Sequence, residues 1–264
     1  MGFWLKEGRK EGEVKALLPG FMHFKTAVDL VRIGRDNDGG YLISKADIKA
    51  TDTLIGFGIN DDWSFESEFS LHKDVSIVAY DASVNKYIFL KKIIKSLGKI
   101  NNPKDTFRWI KTYYSYLNFF KGNHKHIEKF VGSNVTDNYC SMESVFAETD
   151  SSNIFFKIDI EGSEYRILDS LIKNEGRISG MLIEFHDYDL HVERIFNFIE
   201  NLKMPLVHIH ANNYASINGD NNLPLVLELT FSKNAFLEGE GIMPHKLDMP
   251  NNKNEEEVTL SFTA

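Results

Sequence analysis

The sequence predicts an α/β protein: a Rossmann-like, mostly parallel sheet with helices on its faces. Three observations carry this. Residues 52–66, Asp-Thr-Leu-Ile-Gly-Phe-Gly-Ile-Asn-Asp-Asp-Trp-Ser-Phe-Glu, read as a short buried strand, a glycine turn and a helix start. An acid, Asp81, ends the next apolar run about twenty residues on, where open sheets of this kind place a carboxylate on a ribose. Three later apolar runs end in, or close to, Asp, Glu or His, so their polar ends share one edge of a parallel sheet.

Residues 1–30 read as a peripheral helical region broken by Leu17-Leu18-Pro19-Gly20. The run 31–43 carries Asp38-Gly39-Gly40 between two β-rich segments, a hairpin signal. It precedes the glycine turn, so it can lie over the site with Tyr41 against a ligand, or form a plain edge hairpin. In the turn, Gly56 and Gly58 supply the torsions and allow close approach of a ligand around Phe57. Asp61 and Ser64 are helix-capping types. A phosphate-binding turn needs a third glycine or a Lys-Ser/Thr pair, and neither is present. Two carboxylates stand there instead, which repel a pyrophosphate and favour a cationic ligand such as S-adenosylmethionine. A turn without ligand remains the plainer alternative.

Residues 75–81 predict a second strand, with Asp81 and the adjoining Ala82 at the nucleoside end. The segment 86–127 predicts a basic, aromatic helical insertion in two pieces, broken at Asn101-Asn102-Pro103. Of the chain's 30 basic and 38 acidic residues, 11 and two fall between Lys86 and Lys129. That is a local excess of +9 against −17 elsewhere. The segment suits a diphosphate-bearing acceptor or an acidic lipid surface; a solvated helix pair covering the sheet is the preferred reading. Phe130 to Asn134 predicts a third strand and loop, with Ser133 beside an adenine.

Strands with their polar ends are predicted over 153–164, 180–187 and 205–213, and a loop with a short helix over 137–150. Residues 223–231 and 257–262 predict two more strands, paired antiparallel at the sheet edge because no helix separates them. The candidates for chemistry are Asp159, Glu161, Glu184, His186, His208 and His210. Asp159, His186 and His210 form a mixed oxygen/nitrogen set for a divalent metal, and His186 or His210 alternatively serves as a general base. His208, deeper in its strand, is expected to be a hydrogen-bonded structural residue.

The chain of 264 residues is expected to form one domain, cytoplasmic, with neither a signal peptide nor an apolar run of membrane-spanning length. The single cysteine, Cys140, excludes an internal disulfide and reads as a small buried residue. A net charge of −8 argues against a general nucleic-acid partner.

Asp38-Gly39-Gly40-Tyr41, Gly56 to Phe65, Tyr80-Asp81 and Lys157-Ile-Asp-Ile-Glu-Gly-Ser-Glu164 resemble the FkbM-type S-adenosylmethionine-dependent methyltransferases, in the branch that includes methyltransferase-like 24 proteins. The likeness runs from about Arg32 to the end. It implies a class I methyltransferase fold of seven strands with an antiparallel C-terminal hairpin. It also implies O-methylation, the glycine loop on the donor's methionine part, Asp81 on its ribose, and Asp159 facing the transferred methyl, often beside a metal. Such enzymes act on polyketides, sugars and glycans. The expected acceptor is a sugar hydroxyl of a nucleotide-linked or surface-polysaccharide (capsule) precursor. The rival readings are an NAD(P)-dependent sugar-modifying oxidoreductase and a non-catalytic glycan- or membrane-associated binding protein.

Overall fold

The computed structural model describes residues 14–98, 103–132 and 135–263. Its centre is a seven-stranded sheet: β1 (Thr53–Phe57), β2 (Ser76–Tyr80), β3 (His124–Ile127), β4 (Ile154–Ile158), β5 (Ile178–His186), β6 (Leu206–Ala211) and β7 (Val226–Ser232). Their order across the sheet is 3-2-1-4-5-7-6, and β7 runs antiparallel to both neighbours. All other pairings are parallel. This order, with its reversed seventh strand, is the class I methyltransferase variant of the Rossmann-like architecture. The order reverses direction between β1 and β4, so a crevice opens at the carboxyl ends of those two strands.

Among the described residues seven α-helices precede or connect these strands: α1 (Lys45–Ala50), α2 (Ser64–His72), α3 (Lys86–Leu97), α4 (Pro103–Phe119), α5 (Met142–Ala147), α6 (Leu168–Lys173) and α7 (Val192–Asn201). The strands β1 and β4 are buried along their whole length, which is why both read as unbroken apolar runs. One core, including Phe57, Phe156, Phe185 and Phe231, fills one side of the sheet. A smaller one joins Tyr41, Leu54, Phe65, Phe69 and Phe155.

Four expectations need correction. Residues 14–30 contain strands: Val14–Leu18 pairs in parallel with Val258–Phe262, and Thr26–Ala27 pairs with Leu237–Glu238. These partners lie more than 200 residues away, so no local periodicity announces them. Residues 1–13 lie outside the described residues. The third sheet strand is His124–Ile127, the end of the basic segment, whereas Phe130–Gly132 pairs only with Tyr139–Ser141. The run near 223–231 enters the sheet interior between β5 and β6, and it is β6, not 257–262, that forms the antiparallel hairpin with it.

Candidate functional site

A cavity of about 1220 Å³ opens at the carboxyl edge of the sheet. It exceeds the range of roughly 300–1,000 Å³ usual for a single small-molecule site. The glycine turn, the hairpin Leu30–Gly34/Gly40–Ser44, Asp81, Asp159 and His186 all contribute to its wall.

Gly58 is at φ +75°, and a Cβ there would lie 1.7 Å from the Asp159 carbonyl oxygen. The close approach that demands glycine is therefore between two strand ends, not between backbone and ligand. Gly58 donates its N–H to the Tyr80 carbonyl at 3.1 Å, tying the turn to β2. Asp81 completes the tie: its Oδ2 accepts from the Asn60 amide at 2.8 Å and its Oδ1 from the Ser83 amide at 2.7 Å. A carboxylate has about four lone-pair sites, so each oxygen keeps capacity to accept from a hydroxyl.

Along β4, Lys157 and Asp159 fall on the same face, two residues apart. Lys157 Nζ donates to the Gly58 carbonyl at 2.9 Å and to Asp159 Oδ2 at 3.1 Å. Burial opposes its charge, but Asp159 and Glu66 outweigh that and hold its pKa above the ordinary lysine value. Glu66, from α2, is buried on the cavity wall, and its Oε1 has no hydrogen-bond partner among the described residues. Burial pushes its pKa up to about 7 against the opposing effect of Lys157.

The chain after Asp159 turns sharply, with Glu161 at φ +54° and Gly162 at φ +92°. Glu164 braces that turn: its Oε1 accepts from the Ile160 and Gly162 amides at 3.0 and 3.2 Å. The same oxygen lies 3.1 Å from His186 Nδ1, which leaves Nε2 facing Asp159 Oδ1 at 4.0 Å, Glu184 Oε1 at 3.9 Å and Glu161 Oε2 at 3.6 Å. Burial alone would lower the His186 pKa; its hydrogen bond to Glu164 and the charges of Glu184, Glu164 and Asp159 raise it to about 9. Glu184 is buried beside Asp159 and Glu228, and both effects lift its carboxyl well above the usual range. Tyr41 donates its hydroxyl to Glu184 Oε2 at 3.1 Å, and Asn212 donates to Oε1 at 2.9 Å.

One ligand atom from each of Asp159, Glu184 and His186 lies within 4.8 Å of the others. The expected set of Asp159, His186 and His210 is thus only partly assembled. His210 does not line the cavity: its Nδ1 lies 3.0 Å from Glu228 Oε2 and its Nε2 3.1 Å from Glu257 Oε1. Both nitrogens are taken by carboxylates from β7 and the C-terminal segment, so the ring has no free donor or acceptor position. Glu184, two residues before His186 on the same strand face, occupies the third position. His208 lies in β6 with Nε2 2.9 Å from Asp248 Oδ1.

Among the expected donor contacts, Tyr41, Gly58, Asp61, Ser64 and Asp81 line the cavity. Gly56, Phe57 and Ala82 do not. Gly56 lies against Glu66, and Phe57 packs in the core against Phe156 and Tyr80. Ser133 lies outside the described residues. The aromatic side of the cavity is instead supplied by Phe130 and Tyr139, whose rings are 5.4 Å apart. Asp61 is engaged by Arg108 of α4 at 2.9 Å and Asp62 by Arg35 of the hairpin at 3.0 Å. Sequence reasoning missed Glu66, Lys157 and Glu164. Only Lys157 carried a readable signal, its two-residue spacing from Asp159.

No family model and no curated protein matches the chain. Among solved structures, it is similar to a precorrin-6y C5,15-methyltransferase from Geobacter metallireducens, at 13% identity and a TM-score of 0.37, covering 80% of this chain and 95% of that one. An rRNA methylase from Streptococcus thermophilus gives 10% identity and a TM-score of 0.36, over 71% and 92% of the two chains. A fibrillarin pre-rRNA processing protein from Methanococcus jannaschii gives 10% and 0.35, over 72% and 70%. The fold assignment rests on the strand order of the sheet.

Proposed function

We propose that the protein is an S-adenosylmethionine-dependent O-methyltransferase of the FkbM type, acting on a sugar hydroxyl of a nucleotide-linked or polysaccharide precursor. The observation that carries this reading is one cavity joining the glycine turn, Asp81 and the Asp159–Glu184–His186 group at the edge where the strand order reverses.

The residues fit the donor. Asp81 has spare acceptor capacity for ribose hydroxyls, and the orphaned buried oxygen of Glu66 offers an acceptor to a cationic group. Nine acidic residues line the cavity against three lysines and arginines, so the wall stays anionic even though Asp61, Asp62 and Asp159 are paired with Arg108, Arg35 and Lys157, which suits a sulfonium and disfavours a pyrophosphate. When bound, the donor supplies an electrophilic methyl group.

The chain itself must align the acceptor oxygen and take up its proton; alignment accounts for most of the gain in such transfers. His186 Nε2 is the proton acceptor in this reading, and Glu164 on Nδ1 fixes the ring. With a pKa of about 9, His186 is largely protonated at neutral pH. Alternatively, a divalent cation held by Asp159, Glu184 and His186 Nε2 would take the place of His186 as base by acidifying the acceptor hydroxyl. The donor set fits such a cation: two carboxylates and an imidazole whose second nitrogen is held by Glu164. Asn212, Tyr214 and Ser216 on that side of the cavity offer hydrogen-bonding partners to a polyhydroxyl acceptor.

Mass spectrometry of methyl transfer to a panel of nucleotide sugars, with and without EDTA, tests the reading. Transfer abolished in Asp81→Ala and His186→Ala supports it. Nicotinamide cofactor binding in calorimetry, with no S-adenosylmethionine binding, overturns it. Full activity in EDTA removes the cation while leaving the methyltransferase reading intact.

A further inference from the structure

The helices α3 and α4 are more than a cover for the sheet. Their inner faces pack Phe89, Tyr116, Trp109 and Phe120 around Trp63, just after the glycine turn. That contact accounts for one face of each helix. The other faces carry a second set of large apolar residues that are exposed among the described residues, with ring contacts only from Lys86 to Tyr87 and from Tyr113 to Tyr114.

On α3 these are Tyr87, Leu90, Ile94 and Leu97, spaced three, four and three residues apart, which is a single helical stripe. Ile94 is 62% and Leu97 64% exposed. On α4, Phe107, Tyr114 and Leu117 do the same, with Phe107 71% exposed. Exposed Lys91, Lys95, Lys104 and Lys111 flank these stripes. No helix among the described residues is long and apolar enough to cross a membrane. A basic amphipathic pair of this kind is built to lie in an interface.

We infer that the outer face of the α3–α4 pair docks the protein onto an anionic lipid surface. Charge decides the occupant. The helices α3 and α4 carry seven lysines and arginines (Lys86, Lys91, Lys92, Lys95, Lys104, Arg108 and Lys111) against one acid, Asp105, in a chain of net charge −8, so an acidic surface is attracted to this helix pair. A second copy of the chain meeting the same face would set two such basic patches against each other. A nucleic acid would satisfy the lysines but leave the leucine and isoleucine stripe exposed. The geometry adds a consequence: Lys92 of α3 lines the cavity, and Arg108 of α4 holds Asp61 on its wall, so docking brings the cavity beside the lipid headgroups. The inference is independent of the donor and acceptor assigned above.

The test is co-sedimentation of the full chain with vesicles of phosphatidylcholine containing about 30% phosphatidylglycerol, against phosphatidylcholine alone. The expected result is binding to the anionic vesicles only, released by salt. The variants Ile94→Ser/Leu97→Ser and Lys91→Glu/Lys95→Glu should each weaken it about tenfold or more. These positions are exposed, and an unchanged melting midpoint verifies folding. Absence of binding to anionic vesicles, or binding that neither variant alters, overturns the inference. So does light scattering that shows a dimer abolished by Ile94→Ser/Leu97→Ser, which assigns the face to a second copy. Donor affinity, measured on the same variants by calorimetry, should not change, so failure of the docking and failure of the methyltransferase reading are told apart.

Discussion

Gly58 and Asp159 meet backbone to backbone where β1 and β4 end: a Cβ on Gly58 would stand 1.7 Å from the Asp159 carbonyl oxygen. Lys157 clamps the same junction by bonding the Gly58 carbonyl and the Asp159 carboxylate together. The glycine-turn side and the Asp159 side of the cavity are thus held in register at this junction.

Gly58→Ala should therefore destabilise the fold by about 2–4 kcal/mol, since it combines a left-handed torsion with a backbone clash. Donor affinity should fall at least tenfold. Gly56→Ala should cost less, because its Cβ would meet the end of the Glu66 side chain rather than backbone. Thermal unfolding and calorimetry of the two variants side by side check this; equal losses would contradict it.

Asp81 bonds the Asn60 and Ser83 amides and, in the proposed function, the donor ribose. Asp81→Ala should cost about 1–3 kcal/mol of stability from the unpaired amides, together with most of the donor affinity. Asp81→Asn retains one acceptor oxygen and should fall between. An Asp81→Ala protein that binds donor normally would remove Asp81 from the site.

His210 links stability to pH. Burial works against its charge, but Glu228 and Glu257 raise its pKa from 6.5 to about 10. A raised folded-state value means the imidazolium's contribution is complete below about pH 6.5 and is lost as pH climbs towards 10. The melting midpoint should decline from pH 7 to 10, and the decline should be shallower in a His210→Gln variant. Parallel curves would sink the assignment.

Glu66 acts in the opposite sense on its own charge. Burial raises its pKa from 4.5 to about 7, so ionising it costs stability progressively across that interval. Glu66→Gln should be close to the parent near pH 4, below the unfolded-state value, and relatively more stable at pH 8, as read by chemical denaturation. A variant less stable at pH 8 would mean that the attraction of Lys157 for Glu66 outweighs its burial.

Local chemistry made much of this molecule legible from its residues in order. The buried runs at 53–57 and 154–158, the glycine turn, the Asp-Gly-Gly hairpin, Asp81 and the two basic helices split at Pro103 all follow from periodicity, turn types and spacing, which act over a few residues. Pairing over long distances did not. Val14–Leu18 becomes a strand only because Val258–Phe262 lies beside it, and His210 leaves the cavity only because Glu228 and Glu257 claim both its nitrogens. Nothing within ten residues of His186 reveals that Glu164 will hold its ring, and although Glu184 stood among the candidates two residues away, only the fold shows that it and not His210 completes the group. The sequence by itself determined most strands of the central sheet and which of their ends carry acids and histidines. The tertiary structure decided which of those groups face one another, because a side chain's protonation and partners depend on burial and neighbours that the fold assembles from distant parts of the chain.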